Sequence, residues 1–219
     1  MKKRFSTKEL TMLAMISAIA YVLVSTIRIP VVLFLKYEPK DVIITIGGFL
    51  MGPGAVLISS GVVSLIEMFS ISETGIIGCI MNFLSTCSFA CLAALVYKKN
   101  HTIKGAITGL AAGTVFMTVV MLLWNYLITP LYMGLPREEV AALLVPAFLP
   151  FNLVKAGLNS SITLLLYKPL VTGLRKAGLV TPSATAASGS VAKKPFVLIF
   201  AGLLLVTCVL FVLVMRGII

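Results

Sequence analysis

Residues 8–27, 76–97, 105–131, 146–167 and 196–215 are almost continuously apolar, and each run has the roughly 20 residues that a helix needs to cross a bilayer. Five such runs in 219 residues imply an all-α, multi-pass membrane protein. The balance of residue types agrees: 59% are hydrophobic and 11% charged, where soluble domains carry about 25% charge. A net charge of +11 could point to nucleic acid. Here, however, Lys and Arg fall in short blocks between the apolar runs, which is how membrane orientation is written; nucleic-acid binding is not expected. Cys79, Cys87, Cys91 and Cys208 lie within apolar runs without a CxxC pair, and His101 is the single histidine. Neither a metal site nor a disulfide framework is expected. Met1-Lys2-Lys3-Arg4 looks like a signal-peptide start, but the run after it is long and lacks a small-residue cleavage site. It reads as a retained first helix.

Between the first two runs lie Arg28-Ile29-Pro30 and Lys36-Tyr37-Glu38-Pro39-Lys40-Asp41. Two prolines so placed predict a loop, with Asp41 as N-cap of the next helix. That helix, residues 42–51, meets Gly52-Pro53-Gly54 and is followed by an apolar run over 55–69. Either one spanning helix kinks here, or two short helices form a tight hairpin. Charge favours the hairpin: with the N-terminus inside, Lys98, Lys99, Lys104, Lys168, Arg175 and Lys176 become cytoplasmic, while Glu38, Asp41, Glu73, Glu138 and Glu139 face outward. Three units follow: a six-helix core over residues 1–178, a Ser/Ala/Thr-rich flexible linker over 179–195, and an extra helix over 196–219 that reads as an anchor.

In the sixth helix Asn152, Lys155 and Asn159 stand at i, i+3 and i+7 and share one stripe. A central Lys costs roughly 2.5–3.5 kcal/mol to insert, so such groups usually line a cavity or find partners. In the predicted orientation Glu67, Asn82, Asn125, Asn152 and Lys155, from four helices, converge near the outer surface beside the Lys36 loop. Amides offer donors and acceptors and Lys155 adds one cationic donor, which suits a neutral, flat, polar-edged ligand. Tyr37, Trp124, Tyr126, Phe148 and Phe151 could supply stacking surface or sit at the membrane interface. Ala14-x-x-x-Ala18 gives the first helix a small-residue face, suited to packing within the chain or to docking a separate membrane subunit.

Leu35-Lys36-Tyr37-Glu38-Pro39-Lys40-Asp41, Gly47-Gly48-Phe49-Leu50-Met51-Gly52-Pro53, Trp124-Asn125-Tyr126 and Pro150-Phe151-Asn152-Leu153-Val154-Lys155 occur in that order. Together they resemble the riboflavin-specific S components of energy-coupling factor (ECF) vitamin transporters, over roughly residues 8–178. The resemblance implies a six-helix bundle in a bacterial cell membrane that captures riboflavin, as cargo and not as a cofactor, at its outer face. It implies that Asn125, Asn152 and Lys155 hydrogen-bond the flavin ring, that Leu35 and Tyr37 close over it, and that Ala14 and Ala18 dock a transmembrane coupling subunit served by two cytoplasmic ATPases. Glu67 and Asn82 join the expected site from topology alone. The span over 196–215 departs from the six-helix pattern.

Other classes fit less well. An enzyme would need acid/base or metal chemistry, which one Asp and one loop His supply poorly. A self-sufficient facilitator would commonly show duplicated halves, and none is evident. The chain has no GxxxxGK[ST] motif, so ATP energy must come from partners. A cargo other than riboflavin remains the nearest variant.

Overall fold

The structure is a computed structural model that describes residues 6–176 and 195–218; the expected linker falls almost wholly outside them. Helix α1 (Thr7–Thr26) starts at a capping box in which Ser6 Oγ accepts from the Glu9 amide and the Glu9 carboxylate accepts from the Ser6 amide, satisfying donors that a helix start leaves open. Its 20 residues give about 30 Å, enough to cross the hydrocarbon layer.

The expected loop is a small antiparallel hairpin, β1 (Ile29–Val32) and β2 (Leu35–Tyr37), with Ile29 paired to Tyr37 and Pro30 to Lys36. β-Branched Ile29, Val31 and Val32 suit a strand, and Pro30 is tolerated because both strands are edges. Leu33 turns the chain at φ 51°.

Helix α2 (Lys40–Met51) begins two residues earlier than expected, with Pro39 as its N-cap. Asp41 sits in the first turn, and its carboxylate serves neighbouring helices instead of capping its own. At Gly52, φ 91°, the chain reverses into α3 (Pro53–Ser70), with Pro53 in the first turn. The hairpin, not the kinked span, is the observed form. Nine of the twelve α2 residues are buried, and α2 packs on α1, α3, α4 and α8, which makes the shortest core helix the central one.

Helices α4 (Gly75–Lys99) and α5 (Ile103–Leu127) form the closest pair. The Gly105/Gly109/Gly113 spacing serves this contact: a Cβ at Gly109 would lie 2.7 Å from the Ala93 carbonyl oxygen, and one at Gly113 2.5 Å from that of Phe89. Beyond α5 the chain does not run straight to 131. It breaks into α6 (Thr129–Met133) and α7 (Arg137–Leu143), then a π-helical turn (Leu144–Phe148), then α8 (Leu149–Lys176). Pro146, which lacks an amide hydrogen, lies inside that turn and accounts for the local widening. Helix α8 outlasts the expected end at 167 and carries Pro169 within it. Helix α9 (Pro195–Met215) packs along α8. Among the described residues six helical segments are long and apolar enough to cross a membrane: α1, α3, α4, α5, the path Arg137–Tyr167 and α9. With the shorter α2, they form the all-α bundle of six core helices plus one.

Candidate ligand-binding site

The end of the bundle that carries the hairpin holds an open cleft, the kind of concave surface on which small ligands are bound. Asn82 and Ser85 on α4 and Asn152 and Lys155 on α8 give it polar groups, Arg28, Lys36, Glu38 and Glu73 charged ones, Leu35 on the hairpin an apolar contact, and Phe34, Tyr132 and Phe151 its aromatic surface. Phe34 meets Tyr132 edge-on, with ring centroids 5.4 Å apart. The π-helical turn enters α8 three residues before Phe151 and so sets which residues of α8 face the cleft.

A chain of charges begins with Arg28 and Glu38 in the cleft lining and runs inward from it. Arg28 Nε lies 3.0 Å from Glu38 Oε1, Lys40 Nζ lies 3.0 Å from Glu38 Oε2 and 2.6 Å from Glu67 Oε1, and Asn82 Nδ2 donates to Glu67 Oε2 at 3.0 Å. A second network centres on Asp41, which is fully buried. Its Oδ1 accepts from Thr86 Oγ1 at 2.6 Å, and its Oδ2 accepts from Asn159 Nδ2 at 3.2 Å and faces Lys155 Nζ at 3.5 Å. Asn159 Oδ1 in turn accepts from the Tyr37 hydroxyl at 3.2 Å. Three cations, Arg28, Lys40 and Lys155, thus face three carboxylates, Glu38, Asp41 and Glu67. Charges taken out of water persist only when paired in this way.

Local fields follow from these contacts. Burial disfavours ionised Glu38, but Lys40, Lys155 and Arg28 outweigh it and hold its carboxyl below the usual range. At the rim, the hydrogen bond from Lys36, 2.8 Å away, lowers exposed Glu73 as well. Burial, reinforced by Asp41, pushes the Tyr37 phenol up and keeps it a hydrogen-bond donor.

The expected residues divide into two groups. Leu35, Asn82, Asn152 and Lys155 line the cleft. Tyr37, Glu67 and Asn125 lie off its wall. Tyr37 holds Asn159, and Glu67 holds Lys40 and Asn82. Asn125 donates to the Met121 carbonyl and accepts from Thr129 Oγ1 at the α5–α6 break. Asn152 Nδ2 donates to the Phe148 carbonyl at 2.8 Å, and Lys155 Nζ to Ser85 Oγ at 3.3 Å. Ala14 and Ala18 are exposed on α1. Of the expected aromatics, Phe148 is buried behind the cleft. Trp124 borders a smaller side pocket with Phe34 and Tyr132, and Tyr126 is turned outward beneath the Arg137 guanidinium, 5.6 Å from its ring.

Arg28, Glu38, Lys40, Asp41, Ser85 and Thr86 were not expected in the site. Their signal was the alternation Lys36, Glu38, Lys40, Asp41 directly before an apolar helix. Charges at such a position must pair or stay in water, and here they pair. Asn159, on the α8 stripe, carries the polar network about 10 Å further along the helix than Asn152.

Residues 8–167 match the family described as the substrate-specific component of ECF transporters. The chain is 33% identical to the riboflavin transporter RibU of Staphylococcus aureus, across 77% of this chain and 93% of that protein. It is 28% identical to the riboflavin transporter FmnP of Bacillus subtilis, across 78% and 97%. A solved S component of a bacterial ECF transporter superposes with a TM-score of 0.65 at 33% identity, over 77% of this chain and 98% of the other. The cleft, the central short helix and these matches agree: the chain belongs to the family of ECF transporter substrate-specific components, multi-pass proteins of the bacterial cell membrane.

Proposed function

We propose that this chain captures riboflavin in the outer cleft and delivers it inward together with a transmembrane coupling subunit and two cytoplasmic ATPases. The supporting observation is the cleft itself, where Asn82, Asn152 and Lys155 stand with Phe34, Tyr132 and Phe151, and the ion-paired Arg28, Lys36, Glu38 and Glu73 complete the lining. A flat heterocycle edged with carbonyl and ring-nitrogen acceptors suits such walls, because rings stack on aromatic faces while donors read the edge. The names of the relatives point to the same cargo. The role is binding without turnover: Glu38, Asp41 and Glu67 are each held by a cation, so none stands ready as general acid or base, and riboflavin is cargo, not cofactor. Titration of the purified protein with riboflavin should quench flavin fluorescence to a stoichiometric end point. Absence of quenching at micromolar concentrations would remove riboflavin and direct the search to other vitamins.

The docking face is proposed at Ala14 and Ala18. Helix α1 packs against α2 and α3, which leaves these two small residues free to receive a partner helix at close range. The double variant Ala14→Leu/Ala18→Leu should bind riboflavin like the parent, yet lose ATP-driven uptake when reconstituted with the coupling subunit and ATPases. Normal uptake by that variant would place the docking face elsewhere.

A further inference from the structure

The family match ends at residue 167, whereas α9 begins at Pro195. A plain anchor would face lipid on every side. Instead Val197, Ala201, Cys208 and Val212 are buried and recur at four- and seven-residue spacing, one stripe along the helix. Phe200, Leu203, Val206 and Phe211 on the remaining surface are exposed. The stripe lies on α8 and its contacts reach β1. Cys208 and Val212 belong to the same buried cluster as Val31, Leu35 and Tyr37 of the hairpin and Phe148 and Phe151 of the cleft. Contact is closest at Gly157 of α8, where an added Cβ would stand 2.7 Å from Cys208 Sγ.

We infer that α9 is a brace for the hairpin, with Gly157, Cys208 and Val212 as positioning residues that keep Leu35 in the cleft lining and Tyr37 seated on Asn159 beside it. The hairpin is short, and a two-stranded ribbon of this size is marginal by itself. Its inner face needs an apolar backing, which α8 and α9 supply together. This inference rests on the reading of the cleft as a ligand site, but not on which ligand it takes.

Gly157→Leu separates bracing from ordinary helix stability, because the two act in opposite directions. The substitution favours an α-helix by itself, yet a leucine side chain growing from a Cβ 2.7 Å from Cys208 Sγ is too large for a turn of that thiol to accommodate, so it pushes α9 away. In the full-length chain in lipid nanodiscs, backbone amides over residues 29–37 should exchange with solvent about ten-fold faster in Gly157→Leu than in the parent. Riboflavin should dissociate faster to a similar extent. Adding Cys208→Ala makes room opposite the new side chain and should slow exchange again, while Gly202→Leu, where an added Cβ meets open space, should change nothing. Parent-like exchange in Gly157→Leu, or fast exchange that Cys208→Ala does not slow, would overturn the brace. Fast exchange slowed by Cys208→Ala in a chain that binds no riboflavin would support the brace and reject the proposed cargo.

Discussion

A Lys155→Met chain is expected to bind riboflavin about ten- to hundred-fold more weakly than the parent, the loss that follows when a hydrogen bond from a charged donor worth roughly 1.5–3 kcal/mol is removed. Methionine keeps the length and apolar stem of lysine, so packing of α8 is largely retained. An ammonium carries three donors, and in the structure it meets Ser85 Oγ at 3.3 Å and Asp41 Oδ2 at 3.5 Å, both loose contacts. A ligand oxygen or ring nitrogen in the cleft would therefore find the strongest available donor there. Asn82→Ala and Asn152→Ala remove neutral partners and should cost less, about 0.5–1.5 kcal/mol each. Fluorescence titration of the three variants beside the parent measures the order directly. Undiminished affinity in Lys155→Met would dismiss this residue as a ligand contact and leave it a structural counter-ion of Asp41.

Lys40→Met should have the largest effect on stability. Lys40 is 1% exposed and bridges Glu38 on the hairpin side to Glu67 on α3. Its loss leaves Glu67, itself 1% exposed, without a cation, and uncompensated buried charge of this kind costs roughly 3–5 kcal/mol. The double variant Lys40→Met/Glu67→Gln removes both members and should recover much of that loss, because a neutral amide tolerates burial better than an orphaned carboxylate. Denaturant or thermal unfolding in detergent would show the pattern. A Lys40→Met chain as stable as the parent would mean that the charges on Glu38 and Glu67 are relieved by water or by protonation.

The helices were legible because a bilayer sets their length. The stripe of Asn152, Lys155 and Asn159 was legible for a similar reason: a polar residue in lipid is conspicuous. Asp41 was misread because cap preferences come from solvated helix ends, whereas this helix starts inside the protein, where a carboxylate is drawn to Thr86, Asn159 and Lys155. Asn125 was placed in the site by topology and by the family resemblance, and the break after α5 supplies Thr129 as a hydrogen-bond partner that neither could foretell. The seam on α9 was invisible to hydropathy, since the lipid-facing and protein-facing sides are equally apolar. What distinguishes the buried side is the small size of Ala201 and Cys208 at the contact.

The shortness of α2 sets the depth of its charged residues. At its far end Phe49 stacks on Tyr97 of α4, with centroids 4.5 Å apart. From Thr86, the α4 partner of Asp41, that helix continues to Gly75 for about 16 Å at 1.5 Å per residue. Asp41 and Lys155 therefore lie near the middle of a membrane-length helix and not at its end. Beyond them stand Thr45, Phe49 and the hydrogen-bonded pair Tyr97 and Tyr167. Cargo taken into the cleft as proposed would meet these side chains next, and its onward passage would require them to part.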